Sequence, residues 1–174
     1  NNAGQGLGGA TILNIDLPAG SEETGFYAIA YDLSAAGIAG LTGTVISYRG
    51  SDNVTFDFIE RILSGPTNDD ATSGWGVGLG YPNGPQATLA IEFYQAVADA
   101  AGFASNLTSA DIILTGHSLG GGLAGLVAGI YNRPGYFVDP MPFGAAVNQF
   151  YLWQNALVPS VEAQQFVDFV RGGN

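Results

Sequence analysis

The chain of 174 residues contains no cysteine and no lysine, and His117 is its one histidine. Without cysteine there are no disulfides, no thiolate metal sites and no cysteine nucleophile. A single histidine rules against a histidine-rich zinc site. Neither Asp52-Asn53 nor Asn68-Asp69-Asp70 has EF-hand spacing, so no metal and no cofactor is expected. Basic charge is scarce: Arg49, Arg61, Arg133 and Arg171 stand against fifteen Asp and Glu, a formal net charge of −11. That balance disfavours nucleic acid and anionic membrane surfaces. An acidic, lysine-free composition is the one expected of a secreted or salt-exposed protein. No apolar run is long enough for a membrane span. The stretch 1–10 lacks the basic start and apolar core of a signal peptide, and it lacks an initiator Met. It reads as a loose glycine-rich lead-in whose start has been processed or cut.

What is present suits a packed core: 47% of residues are hydrophobic and only 11% charged, in a length that fits one domain. β-forming runs bracketed by glycine predict strands over 11–16, 25–33, 43–48, 111–115 and 135–139. A helix is expected over 55–63. A second begins at Pro85, carries Leu89, Phe93 and Val97 on one stripe, and stops at Gly102. Further helices are expected over 119–131, 144–156 and 160–171, the last with Ser160 as N-cap. There is no internal repeat and no linker. Strand alternating with helix implies a mainly parallel sheet with helices on both faces. The segment 65–84 is a long loop, and long loops in compact domains are often functional. It is a candidate lid, with Trp75 and Leu79 offering an apolar inner face; a surface loop pinned by Trp75 is the plainer alternative.

The chemistry concentrates at Gly116-His117-Ser118-Leu119-Gly120-Gly121, directly after the apolar run Asp111–Thr115. A strand that runs into G-x-S-x-G and then a helix is a nucleophile elbow: Gly116 and Gly120 lack side chains so that the turn can close, and Ser118 Oγ is lifted clear. The N–H of Leu119 opens the helix and is one candidate oxyanion donor. The second is expected from the strand end Tyr48-Arg49-Gly50-Ser51, where Ser51 has both an N–H and a hydroxyl; an ordinary strand-end turn is the alternative. Arg49 can pair with Asp52 or Asp57. His117 adjoins the serine, where neighbouring side chains diverge, and is poorly placed to take its proton.

Aromatic-Arg-Gly-Ser followed by Gly-His-Ser-Leu-Gly-Gly resembles the class 3, fungal-type lipases of the α/β-hydrolase superfamily. The run Gly116–Ala128 with Phe137-Val138-Asp139-Pro140 also resembles secreted bacterial lipases and esterases of repeat-in-toxin type. The resemblance implies a serine carboxylic ester hydrolase, with Ser118 as nucleophile and Ser51 as oxyanion residue. It also implies an acid and a histidine after the nucleophile. The chain supplies Asp139, Glu162 and Asp168 there but no histidine. The acid is therefore Asp139 or a residue outside the chain, and Asp168 reads as part of a solvated helix face. The expectation is an incomplete α/β-hydrolase domain over 1–174, cut after the elbow and following strand, whose sheet and triad are completed by a C-terminal fragment or second chain. A serine peptidase, thioesterase or polyester hydrolase, and a non-catalytic binding module on the same fold, are the competing readings.

Overall fold

The β-forming runs of the sequence pair into a single sheet. A computed structural model describes residues 6–37, 42–50, 76–157 and 159–172. Six strands stand side by side in chain order: β1 (Gly6–Leu7), β2 (Ala10–Ile12), β3 (Ala28–Asp32), β4 (Thr44–Tyr48), β5 (Ile112–His117) and β6 (Gly135–Val138). The described helices are α1 (Pro85–Ala100), α2 (Leu119–Tyr131), α3 (Gly144–Gln154) and α4 (Val161–Val170). The helix expected over 55–63 lies outside the described residues.

The expected parallel ladder is that of β4, β5 and β6, while β1 to β4 run antiparallel. Connection length explains the difference. The link 33–43 is shorter than the crossover of about a dozen residues or more that parallel strands need. The links 49–111 and 118–134 hold α1 and α2. The loose lead-in expected over 1–10 is strand from Gly6 onward: Gly8 and Gly9, at φ +57° and +94°, make a two-residue hairpin turn.

Pro85 opens α1, and Gly102 at φ +84° closes it. The Gly102 N–H donates to Asp99 O and the Phe103 N–H to Ala98 O, both at 2.8 Å, a Schellman ending. Leu89, Phe93 and Val97 are buried as the stripe predicts. Ala28, Ala30, Ile46, Tyr48, Ile112 and Leu114 share one sheet face and form a single core with the buried residues of all four helices. Tyr48 Oη donates to Ala90 O at 2.9 Å, tying that face to α1. Helices are expected on both faces; those described pack on this one, and Val45, Ser47, Ile113 and Thr115 on the other face are half-buried.

Every residue of α2 except Gly129 is buried, and fully burying each of its leucines contributes about 1.5–3 kcal/mol. Its glycines seat the chain that follows β6. A methyl group added at Gly121 would lie 3.0 Å from Pro140 Cα, and one at Gly129 would lie 2.7 Å from Val147 Cγ2. Ser160 Oγ accepts from the Ala163 N–H at 3.1 Å, the expected cap of α4. The far end of α4 is held by Gln95 Nε2, which donates to Phe169 O at 2.9 Å, and by Tyr131 Oη, which donates to Val170 O at 2.8 Å.

Candidate active site

Ser118 joins β5 to α2 with no intervening loop, at φ +55° and ψ −124°. A side-chain-bearing residue held there costs of order 1–3 kcal/mol, so the surroundings must enforce it. They do so through backbone contacts that only glycine permits. A Cβ at Gly116 would overlap the Gly120 carbonyl and lie 2.7 Å from Gly121 N. One at Gly120 would overlap the Tyr48 carbonyl oxygen and lie 2.7 Å from Arg49 C. Gly116 thus closes the turn, while Gly120 lets the end of β4 lie against it. Gly50 completes the fit: a Cβ there would be 2.8 Å from His117 O and 3.6 Å from Ser118 Cβ.

The end of β4 is fixed on its other side as well. The Arg49 N–H donates to Tyr27 O at 3.0 Å, Arg49 Nη2 donates to Gly25 O at 3.1 Å, and the guanidinium lies 5.2 Å from the Tyr27 ring centroid. A cation over an aromatic face is attracted by about 0.5–1 kcal/mol at an exposed site. Tyr27 carries no motif. Its place follows from the β3–β4 register, in which Ala28 faces Tyr48, and sequence reasoning missed it. Ser51 comes next in the chain but lies outside the described residues, as do Asp52 and Asp57. Leu119 is buried at the first position of α2, where N–H groups have no intrahelical acceptor and the helix dipole favours negative charge.

His117 is exposed and pairs with Val138. Alternation along β5 groups its side chain with Ile113 and Thr115, on the face away from α1 and α2. Of the acids after the elbow, Asp168 accepts from Gln164 Nε2 at 2.8 Å on the exposed side of α4, and Glu162 accepts from Asn83 Nδ2 at 2.6 Å. Asp139 follows β6, exposed, at φ +42°.

A family model described as lipase (class 3) matches residues 45–142, more than half of the chain, from β4 through the connection after β6. The chain belongs to the class 3 lipase family. No curated protein and no solved structure matches it. Membership places it among lipase- or esterase-type hydrolases and agrees with the resemblance legible in its motifs. The matched stretch holds Arg49, Gly50, Ser118 and Asp139.

In this class 3 lipase domain, only the end of the candidate lid loop falls within the described residues; Trp75 lies outside them. Residues 76–81 form a closed turn, with the Gly80 N–H donating to Val77 O at 3.0 Å and the Tyr81 N–H to Gly76 O at 2.8 Å. Val77 is 1% exposed and pins the turn to the core, whereas Leu79 is 75% exposed. The turn rests on the C-terminal helices: Asn83 bonds Glu162, and a methyl group at Gly80 would lie 3.3 Å from Ala145 Cβ. Among the described residues no group of three or more His, Asp or Glu is placed to hold a metal ion, and no helix is long and apolar enough to cross a membrane.

Proposed function

We propose that this protein is a serine carboxylic ester hydrolase that works through an acyl-enzyme. The observation that carries the reading is the backbone of Ser118 at φ +55° and ψ −124°, enforced by Gly116 and Gly120 between β5 and α2. Ser118 Oγ attacks the acyl carbonyl while an imidazole takes its proton. The Leu119 N–H and Ser51 hold the oxyanion, the imidazolium returns the proton to the leaving alcohol, and water then cleaves the acyl-enzyme.

His117 does not fill the imidazole role, because its side chain belongs to the far face of β5. The base comes from outside these 174 residues, from a C-terminal segment or a second chain that also completes the sheet. Leu79, and Trp75 before it, cover the acyl side. Peptidase, thioesterase and polyester hydrolase activities use the same machinery and are separated by substrate.

A fluorophosphonate probe labels Ser118 in the active protein, and Ser118→Ala removes both labelling and ester turnover. Labelling that persists in Ser118→Ala overturns the assignment. The 174 residues alone are expected to be inactive on activated esters, and His117→Gln in the active protein to retain substantial turnover. A domain unlabelled in every form is a binding module that keeps the elbow as architecture.

A further inference from the structure

The pattern that predicts a strand over 11–16 outlasts the strand that forms. β2 ends at Ile12, yet Leu13, Ile15 and Leu17 pack against the core while Asn14 and Asp16 are exposed, the alternation of an extended chain. No glycine or proline interrupts 11–17. The register is kept as far as Leu13: Thr11 faces Asp32, Ile12 faces Tyr31, and the Leu13 N–H donates to Ala30 O at 2.9 Å. One step further the ladder stops.

Continued in that register, Ile15 faces Ala28 as a hydrogen-bonded pair, exchanging both N–H···O bonds. Ala28 has the groups for it. The Arg49 N–H donates to Tyr27 O, so Tyr27 and Ile29 turn their backbone toward β4, and Ala28 turns its own toward residues 14–17. Among the described residues no hydrogen bond engages the Ala28 N–H or C=O, although Ala28 is only 5% exposed. Buried backbone groups are almost always paired. What separates these from Ile15 is a cavity of about 270 Å³, walled by residues 12–17 on one side and 27–30 on the other, with Phe93 of α1 against it. Walls as aliphatic as Leu13, Ile15 and Leu17 hold water poorly.

We infer that residues 14–17 are a strap that closes onto β3, hinged at Leu13 and Pro18. Ser21 Oγ donates to Pro18 O at 2.6 Å and holds the far hinge. Closing makes two bonds, from the Ile15 N–H to Ala28 O and from the Ala28 N–H to Ile15 O, and removes the cavity. Ile15 and Leu17 keep the face they already use. The stretch that the strap grips bears on the elbow from its other edge: Gly25 O and Tyr27 O accept from Arg49, at 3.1 and 3.0 Å. In the open form β4 alone holds Ala28 within the sheet; in the closed form both edges are paired. The strap therefore sets how firmly the support of Arg49 and Gly50 is held, whatever chemistry Ser118 performs.

The chain has no cysteine, so introduced thiols report without background. In the closed register Asp16 faces Tyr27 as a non-hydrogen-bonded pair, with Cα atoms about 4.5 Å apart, which a disulfide can span. Ile12→Cys with Tyr31→Cys, a pair already in the ladder, is the control. Both double variants are made in the active protein, oxidised alike and titrated for remaining thiols, and amide exchange is followed by NMR. Asp16→Cys with Tyr27→Cys is expected to bridge as fully as the control. Bridging should slow exchange of the Ala28 N–H at least about 10-fold, and reduction should restore it. Thiols that stay free while the control closes overturn the strap. A bridge that leaves Ala28 exchange unchanged overturns it equally, because the segment then nears β3 without pairing. The unmodified protein gives a measurement that needs no variant. Benzene, which enters dry apolar cavities, holds the strap open and is expected to speed Ala28 exchange about 10-fold, while Ile29, paired with Ser47, is unaffected. Ala28 exchange that does not respond to benzene shows that no closed form is populated and refutes the inference.

Discussion

Gly120→Ala tests whether the end of β4 and the elbow are one unit. The added methyl group meets backbone on two sides, the Tyr48 carbonyl and Arg49 C at 2.7 Å, with no flexible side chain to yield. Overpacking of this kind costs about 1–3 kcal/mol, and rigid neighbours put it at the upper end. Exchanging Gly for Ala inside a helix returns about 1 kcal/mol of propensity. The net loss of about 2 kcal/mol lowers Tm by roughly 4–8 °C in a domain of this size. The larger effect falls on rate. Relief of the overlap moves Arg49 and Gly50 off the elbow, and a misplacement near 1 Å costs about 10²-fold in kcat. Gly144→Ala is the control: it opens α3, is exposed and has nothing within 4 Å of the new methyl, so the same propensity gain comes without the overlap. The assay is ester turnover with thermal unfolding of both variants. If Gly120→Ala matches Gly144→Ala in Tm and keeps kcat within about 3-fold, the contact does not position the strand end.

Arg49→Gln removes the cation from the Tyr27 ring and the bond to Gly25 O; kcat is expected to fall about 10-fold with KM nearly constant, and a rise in KM alone would show that Arg49 binds substrate instead. Val77→Ala empties a buried site and should cost about 2 kcal/mol in chemical denaturation. Leu79→Ser should leave stability unchanged and lower turnover of long-chain esters more than of acetate or butyrate esters; equal losses across chain lengths exclude an acyl contact. Burial pushes Tyr94 up to about 12 and raises Tyr131 further. Because the folded state holds both phenols neutral, their contribution is complete below pH 10 and is lost as pH rises toward the folded values. A Tm that is flat to about pH 9 and falls beyond pH 10 is expected, and a Tm that rises there contradicts the burial.

The parts of this molecule that were legible in its sequence are those whose cause is local. Ser118 could be read because strand, paired glycines and helix stand next to one another in the chain, and each glycine answers a contact one turn away or in the adjoining strand. The ends of α1 could be read because Pro85 and Gly102 act through their own backbone angles. Strand direction was legible only through connection length: the short link 33–43 forbids a crossover, and Gly8-Gly9 is a hairpin signal that a glycine-rich lead-in obscures.

What stayed hidden depends on register. Tyr27 becomes the partner of Arg49 only once Ala28 is set against Tyr48, and no residue type announces that pairing. Asp139 is ordinary in the sequence, an acid at a strand end. It takes φ +42° where the ladder of β5 and β6 ends: Pro140 has no N–H to give, and Ser118 O accepts from the Met141 N–H at 2.9 Å and from the Gly122 N–H at 3.1 Å. The proline is visible in the sequence; the carbonyl that the next N–H, that of Met141, reaches past it is visible only in the fold. The irregular step at Asp139 and Pro140 therefore follows from the pairing of β5 with β6, and it persists in any variant that keeps that pairing and accepts φ above zero at position 139.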